Sequence, residues 1–163
     1  MLRKGLLYCF SGIVLATACS TLQRGSFLNQ DTRTQNEMRH EGVVSLLELS
    51  PITDPDDPVS FFQAHFTIRN STSSPVAFTF PSSQQYDFLI QDDAGRELWK
   101  WSDGRFFAML IVEKELGQEP WVYQERIPTF NREGRSLPKG YYTLRARLTS
   151  NPAIENHLSF QVK

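Results

Sequence analysis

Between Phe62 and Arg69 the chain alternates strictly. Phe62, Ala64, Phe66 and Ile68 are apolar, whereas Gln63, His65, Thr67 and Arg69 are polar. A period of two puts each set on one face of an extended strand. Related patterns occur at Val76/Phe78/Phe80, Tyr86/Phe88/Ile90, Tyr142/Leu144/Ala146/Leu148 and Leu158/Phe160/Val162, with turn signals between them. Val43–Leu49, Leu98–Trp101 and Trp121–Ile127 read as further strands. Twelve Phe, five Tyr and three Trp suit pleated surfaces. No convincing helix appears from Glu41 onward. The expected fold is an all-β antiparallel sandwich of about eight or nine strands over residues 41–163, with one solvated face per sheet.

Some boundaries follow from turn chemistry. Ser50–Pro58 holds three prolines and is expected to end the first strand. Asp92-Asp93-Ala94-Gly95 reads as a hairpin turn. Ser102-Asp103-Gly104 reads as a second tight turn, sending the chain into a strand at Arg105-Phe106-Phe107, so that Trp99–Phe107 forms a hairpin. Phe107–Leu116 is ambiguous between strand and short helix. Trp99 and Trp101 share one face and Lys100 the other. An inward Trp face makes them core or part-core; an outward one makes them an aromatic platform.

The N-terminus carries a different message. Arg3 and Lys4 precede a charge-free run from Gly5 to Ala18, whose length suits a signal-peptide core and is too short for a bilayer span. The run ends in Leu15-Ala16-Thr17-Ala18-Cys19, which resembles a bacterial lipobox. Residues 1–18 are therefore expected to be a lipoprotein signal, cleaved between Ala18 and Cys19, with Cys19 lipidated; a plain secretory cleavage at Ala16-Thr17-Ala18 is the alternative. Cys9 leaves with the signal, so the single remaining thiol is accounted for by lipid. Ser20 matches the sorting pattern for the outer membrane, facing the periplasm. Residues 19–40 are polar without an apolar stripe and read as a lipid-anchored flexible tether.

Charge and motif searches exclude several functions. Lys and Arg total 17 against 18 Asp and Glu; removing residues 1–18 leaves 15 against 18, a net charge of −3. Neither nucleic acid nor an anionic lipid surface is held by such a balance. No nucleophile elbow, zinc-protease helix, phosphate loop or dinucleotide fingerprint occurs. His40, His65 and His157 lack ligand spacing, and Asp54, Asp56 and Asp57 lack the rest of a calcium loop. The reading is a non-enzyme with no cofactor and no metal.

Pro81–Phe107 carries the densest motif. Tyr86-Asp87-Phe88 is followed by Asp92 to Gly95, Trp99-Lys100-Trp101-Ser102-Asp103-Gly104 and then Phe106-Phe107. Asn70–Pro75 precedes it, and Leu137-Pro138-Lys139-Gly140-Tyr141-Tyr142 follows. This pattern resembles the BsuPI family of intracellular proteinase inhibitors over roughly residues 42–150. The resemblance implies an immunoglobulin-like sandwich, in which Tyr86, Asp87, Phe88, Gly95, Trp99, Trp101, Ser102, Asp103, Gly104, Phe107, Gly140 and Tyr142 are mostly structural. It also implies a protein partner, with a protease as the candidate. Candidate binding loops are Pro51–Pro58, Ser82–Gln85 and Pro128–Pro138. The alternatives are a structural or assembly lipoprotein of the envelope and, more weakly, a carbohydrate-binding module using Trp99, Trp101 or Trp121.

Overall fold

The computed structural model describes residues 33–54 and 57–162. Residues 1–18, with the proposed signal, and most of the tether, including Cys19, lie outside them. Ten strands and no helix occur among the described residues. They are β1 (Thr34–His40), β2 (Val43–Asp54), β3 (Asp57–Asn70), β4 (Val76–Phe80), β5 (Tyr86–Asp92), β6 (Glu97–Lys100), β7 (Val112–Leu116), β8 (Trp121–Pro128), β9 (Gly140–Leu148) and β10 (Glu155–Val162). One sheet has the order β1-β2-β3-β8 and the other β10-β9-β5-β6, while β4 and β7 form a separate ribbon. All pairings are antiparallel.

The period-two pattern works as read. Leu47 and Leu49 of β2, Phe62 to Ile68 of β3, Phe88 and Ile90 of β5, and Leu144 to Leu148 of β9 supply inward sets. Phe66 meets Phe88 edge-on across the two sheets at 6.3 Å, and Phe62 meets Phe160 at 5.3 Å. The result is an antiparallel β-sandwich whose core fills the space between the sheets. The buried amide of Asn156 ties the sheets together, donating to the carbonyls of Asn36 (2.9 Å) and Ser45 (3.0 Å).

Three boundary expectations are corrected. The tether does not reach residue 40: Thr34–His40 is strand β1, paired with β2 from Thr34↔Leu49 to His40↔Val43. Only Thr34 of this strand is buried, so backbone ladder bonds hold it in place of an apolar stripe. A two-residue turn makes the pairing possible, with Glu41 at φ 43° and Gly42 at φ 82°. Any side chain on Gly42 would also clash with Thr72 Cγ2.

Second, β2 does not stop at Ser50 but runs through Pro51 to Asp54 and folds back into β3. Pro51 lies past Thr34↔Leu49, the last pair of the β1 ladder among the described residues, where no described partner strand needs its missing donor. Third, Arg105-Phe106-Phe107 is not a strand, so Trp99–Phe107 is not a hairpin. Strand structure resumes at Val112, which resolves the ambiguous Phe107–Leu116 stretch as β7 at its C-terminal end.

Candidate functional site

The segment that leaves the sheet begins with a tightly built turn. Asp87 sits on the outer face of β5, opposite Arg147 of β9, yet it is fully buried. Its carboxylate accepts hydrogen bonds from the Ser102 amide (3.1 Å) and the Ser102 hydroxyl (2.9 Å). Lys100 Nζ stands 3.7 Å away and an Arg147 guanidinium nitrogen 3.5 Å away. A buried carboxylate needs such partners, and here they fix where residues 100–104 lie. The Trp101 amide donates to the Phe88 carbonyl at 2.8 Å, and the Arg105 amide to Ser102 at 3.1 Å. Gly104 closes the turn at φ 73°, a left-handed conformation that costs a residue with a side chain about 1–2 kcal/mol.

Trp99 opposes Ile90 in the β5–β6 ladder and therefore faces inward, as does Trp101 one repeat later. Both are half-buried because β6 is the edge of its sheet. They are part-core residues. Trp101 packs on Tyr86 at 4.5 Å, with the Arg105 guanidinium 4.0 Å from its ring centroid and Phe107 at 5.9 Å. Tyr86 continues the stack to Tyr123 of β8 at 4.6 Å and donates its hydroxyl to Glu125 at 2.6 Å. Burial, the bond to Glu125 and its negative charge drive the Tyr86 phenol well above the ordinary tyrosine range. Burial pushes Tyr123 up to about 12. This aromatic column joins the two sheets directly beneath residues 105–107.

Above it lies an exposed apolar loop. Phe106 is 101% exposed, Met109 91%, Ile111 71% and Leu110 49%. The loop is nonetheless pinned at its centre: the Ser83 amide donates to the Ala108 carbonyl (2.9 Å), and the Ala108 amide donates to Ser83 Oγ (2.8 Å). Arg105 Nε donates to the Trp101 carbonyl at 2.9 Å, holding the N-terminal side. Pairing of Val112 with Phe80 holds the other. No acidic residue lies between Arg105 and Ile111.

The remaining sequence candidates fall around this feature or away from it. Ser82–Gln85 does not project alone but supplies the Ser83 clamp. Pro128–Pro138 closes through an isolated Phe130↔Ser136 bridge, and its Arg132 pairs with Glu97 and Asp103. Most of Pro51–Pro58 is strand, with residues 55 and 56 outside the described part. Gly95 takes φ 76° in the Asp92 turn, where Asp92 Oδ1 accepts from the Arg96 amide at 2.8 Å. Gly140 opens β9, and the Tyr142 hydroxyl donates to the Pro138 carbonyl at 2.7 Å. Trp121 packs on Phe78 at 5.2 Å under Lys114, and both faces of Trp101 have neighbours, so neither is an open sugar platform. No group of three metal-ligating side chains occurs among the described residues.

Loop 105–111 was missed by the sequence reading, although a signal exists. Phe106 to Val112 is a run of seven apolar residues without alternation in a chain that otherwise alternates. Several motif residues share one location: Asp87, Ser102 and Gly104 build the turn, Tyr86 and Trp101 the column, and Phe107 rests on it, whereas Gly95, Gly140 and Tyr142 lie at the far end of β5.

A family model for the BsuPI intracellular proteinase inhibitors matches residues 52–153. The chain belongs to this family. The match spans β3 to the β9–β10 turn, including the whole of the turn, the column and the loop. β1, most of β2 and β10 lie outside the matched residues. No curated protein is similar enough to count as a match.

Proposed function

We propose that this BsuPI domain is a non-enzymatic protein-binding module of a bacterial envelope lipoprotein, that its partner is a proteinase, and that loop 105–111 makes the contact. One observation carries the reading. A family described as proteinase inhibitors is represented by a fold that displays four large apolar side chains on a loop clamped at Ala108. Exposed apolar groups cost solubility and persist where something covers them. A loop already held in shape loses little conformational entropy on binding, which raises affinity without added contacts. Lipid on Cys19 would place the module at a membrane, with the outer membrane facing the periplasm as the site.

Capture from detergent-solubilised envelope with the lipidated full chain tests the partner. A proteinase as the main captured protein is the expected result; an assembly machine or porin as main partner would replace inhibition by a structural role. Fractionation of Cys19→Ser tests the anchor. The variant is expected in the soluble fraction or as unprocessed precursor, and normal maturation with full membrane retention would exclude lipidation at this cysteine.

A further inference from the structure

Resting on the proteinase-binding reading, the geometry points to Phe106 as the residue that enters the proteinase's primary pocket, and we propose a target that accepts a large aromatic side chain there. Phe106 differs from its neighbours in a way that composition does not show. On one side Arg105 is fixed, its guanidinium lying over Trp101 and bonded to the Trp101 carbonyl. On the other side Phe107 rests against the same ring, and Ala108 makes two bonds with Ser83. Between these anchors Phe106 projects fully into solvent. A fully exposed aromatic on a backbone held on both sides is the form a contact hot spot takes, because its burial gains a large apolar area while the loop itself needs little further ordering.

Two alternatives within the loop are weaker. Arg105 is the only charge between residues 105 and 111, but its guanidinium is already engaged, so a proteinase that requires a basic side chain would have to strip it from Trp101. Met109 is less open than Phe106, 91% against 101%, and it lies beyond the Ala108 clamp next to exposed Leu110, so held residues do not flank it on both sides as Arg105 and Phe107 flank Phe106.

The same anchors explain how such a loop resists digestion. Hydrolysis of the Phe106–Phe107 bond would consume one water and give a Phe106 carboxylate and a Phe107 amine. Both new ends would stay in place, one through Arg105 on Trp101 and the other through Phe107 on Trp101 and Ala108 on Ser83. Products that remain docked leave slowly.

Chymotrypsin, which cleaves after aromatic residues, and trypsin, which cleaves after basic ones, serve as probes with the solubilised full chain. The parent is expected to inhibit chymotrypsin and not trypsin. Phe106→Ala is expected to weaken chymotrypsin inhibition about tenfold or more at an unchanged melting temperature, since the side chain touches little in the free protein. Phe106→Arg is expected to exchange chymotrypsin inhibition for trypsin inhibition. Ser83→Ala, which loosens the clamp, is expected to speed cleavage after Phe106 as followed by mass spectrometry. Undiminished inhibition by Phe106→Ala, absence of chymotrypsin inhibition by the parent, or cleavage of the parent as fast as of the denatured chain overturns the assignment. If the envelope proteinase is still captured by Phe106→Ala, the anchor is wrong while the proteinase-binding reading stands. If the parent captures no protein, that reading fails by itself.

Discussion

Replacing Asp87 removes the group on which the Trp101–Gly104 turn is built. In Asp87→Ala the Ser102 amide and hydroxyl lose a charged acceptor at 3.1 and 2.9 Å. Hydrogen bonds to charged groups contribute about 1.5–3 kcal/mol each, so the pair sets a range of about 3–6 kcal/mol. Lys100 and Arg147 also lose their counter-charge, but their side chains are 27% and 41% exposed and can turn to water. That relaxation avoids the larger penalty of a stranded buried cation. The lower end, about 3 kcal/mol, is therefore expected, equivalent to a melting temperature lowered by about 10 °C in a domain of this size. Asp87→Asn keeps one carboxamide oxygen for one of the two donors and should lose roughly half as much. Far-UV circular dichroism melts of the parent and both variants measure this. If Asp87→Ala melts within about 2 °C of the parent, the buried carboxylate is not what holds the turn, and the reasoning fails.

Other parts of the site make their own predictions. Trp101→Ala should lose about 2–4 kcal/mol by opening the column under the loop, whereas Trp101→Phe should be nearly neutral because the buried indole N–H has no acceptor among the described residues; thermal melts distinguish the two. Gly104→Val removes no contact and has open space for its Cβ, yet the φ of 73° should cost it about 1–2 kcal/mol, measurable by urea unfolding. Tyr86 and Tyr123 both have raised phenol pKa values, so the folded state retains protons that the unfolded chain releases above its ordinary value near 10. Stability should hold below pH 10 and decline from there through 12, with the change reduced in Tyr123→Phe; urea midpoints across that range, alongside absorbance at 295 nm, provide the check.

What the sequence made legible follows from what a pleated strand does to side chains. The inward sets of β3, β5 and β9 were readable because burial on one face imposes a period of two. β1 was not, since Thr34-Gln-Asn-Glu-Met-Arg-His40 gains its place from backbone pairing and the Asn36–Asn156 amides. Alternation correctly puts Asp87 on the outer face of β5 but cannot reveal that Lys100, Arg147 and the Ser102 turn cover it there. Arg105-Phe106-Phe107 reads as strand because Phe106 and Phe107 have high β-propensity, and the rest of the loop stays ambiguous between strand and helix; propensity is blind to whether a partner strand exists. The family motif leads to this region: its most recognisable residues, Trp101, Ser102 and Gly104, form the mount, and the exposed side chains follow them.

The order in which the chain reaches its partners has its own consequence. β2 and β3 are adjacent in sequence and can pair as soon as both exist, but the other edge of β3 waits for β8, where Ile68 meets Trp121 and Phe61 meets Pro128. Until residue 128 has emerged from a ribosome or a translocation pore, one long central strand presents its unpaired backbone to any other extended chain. Pairing between distant segments is slow compared with hairpin closure, so that interval is real on the timescale of synthesis. Fragments ending before Trp121 are left with this edge open for good, and self-association through β3 is their expected fate.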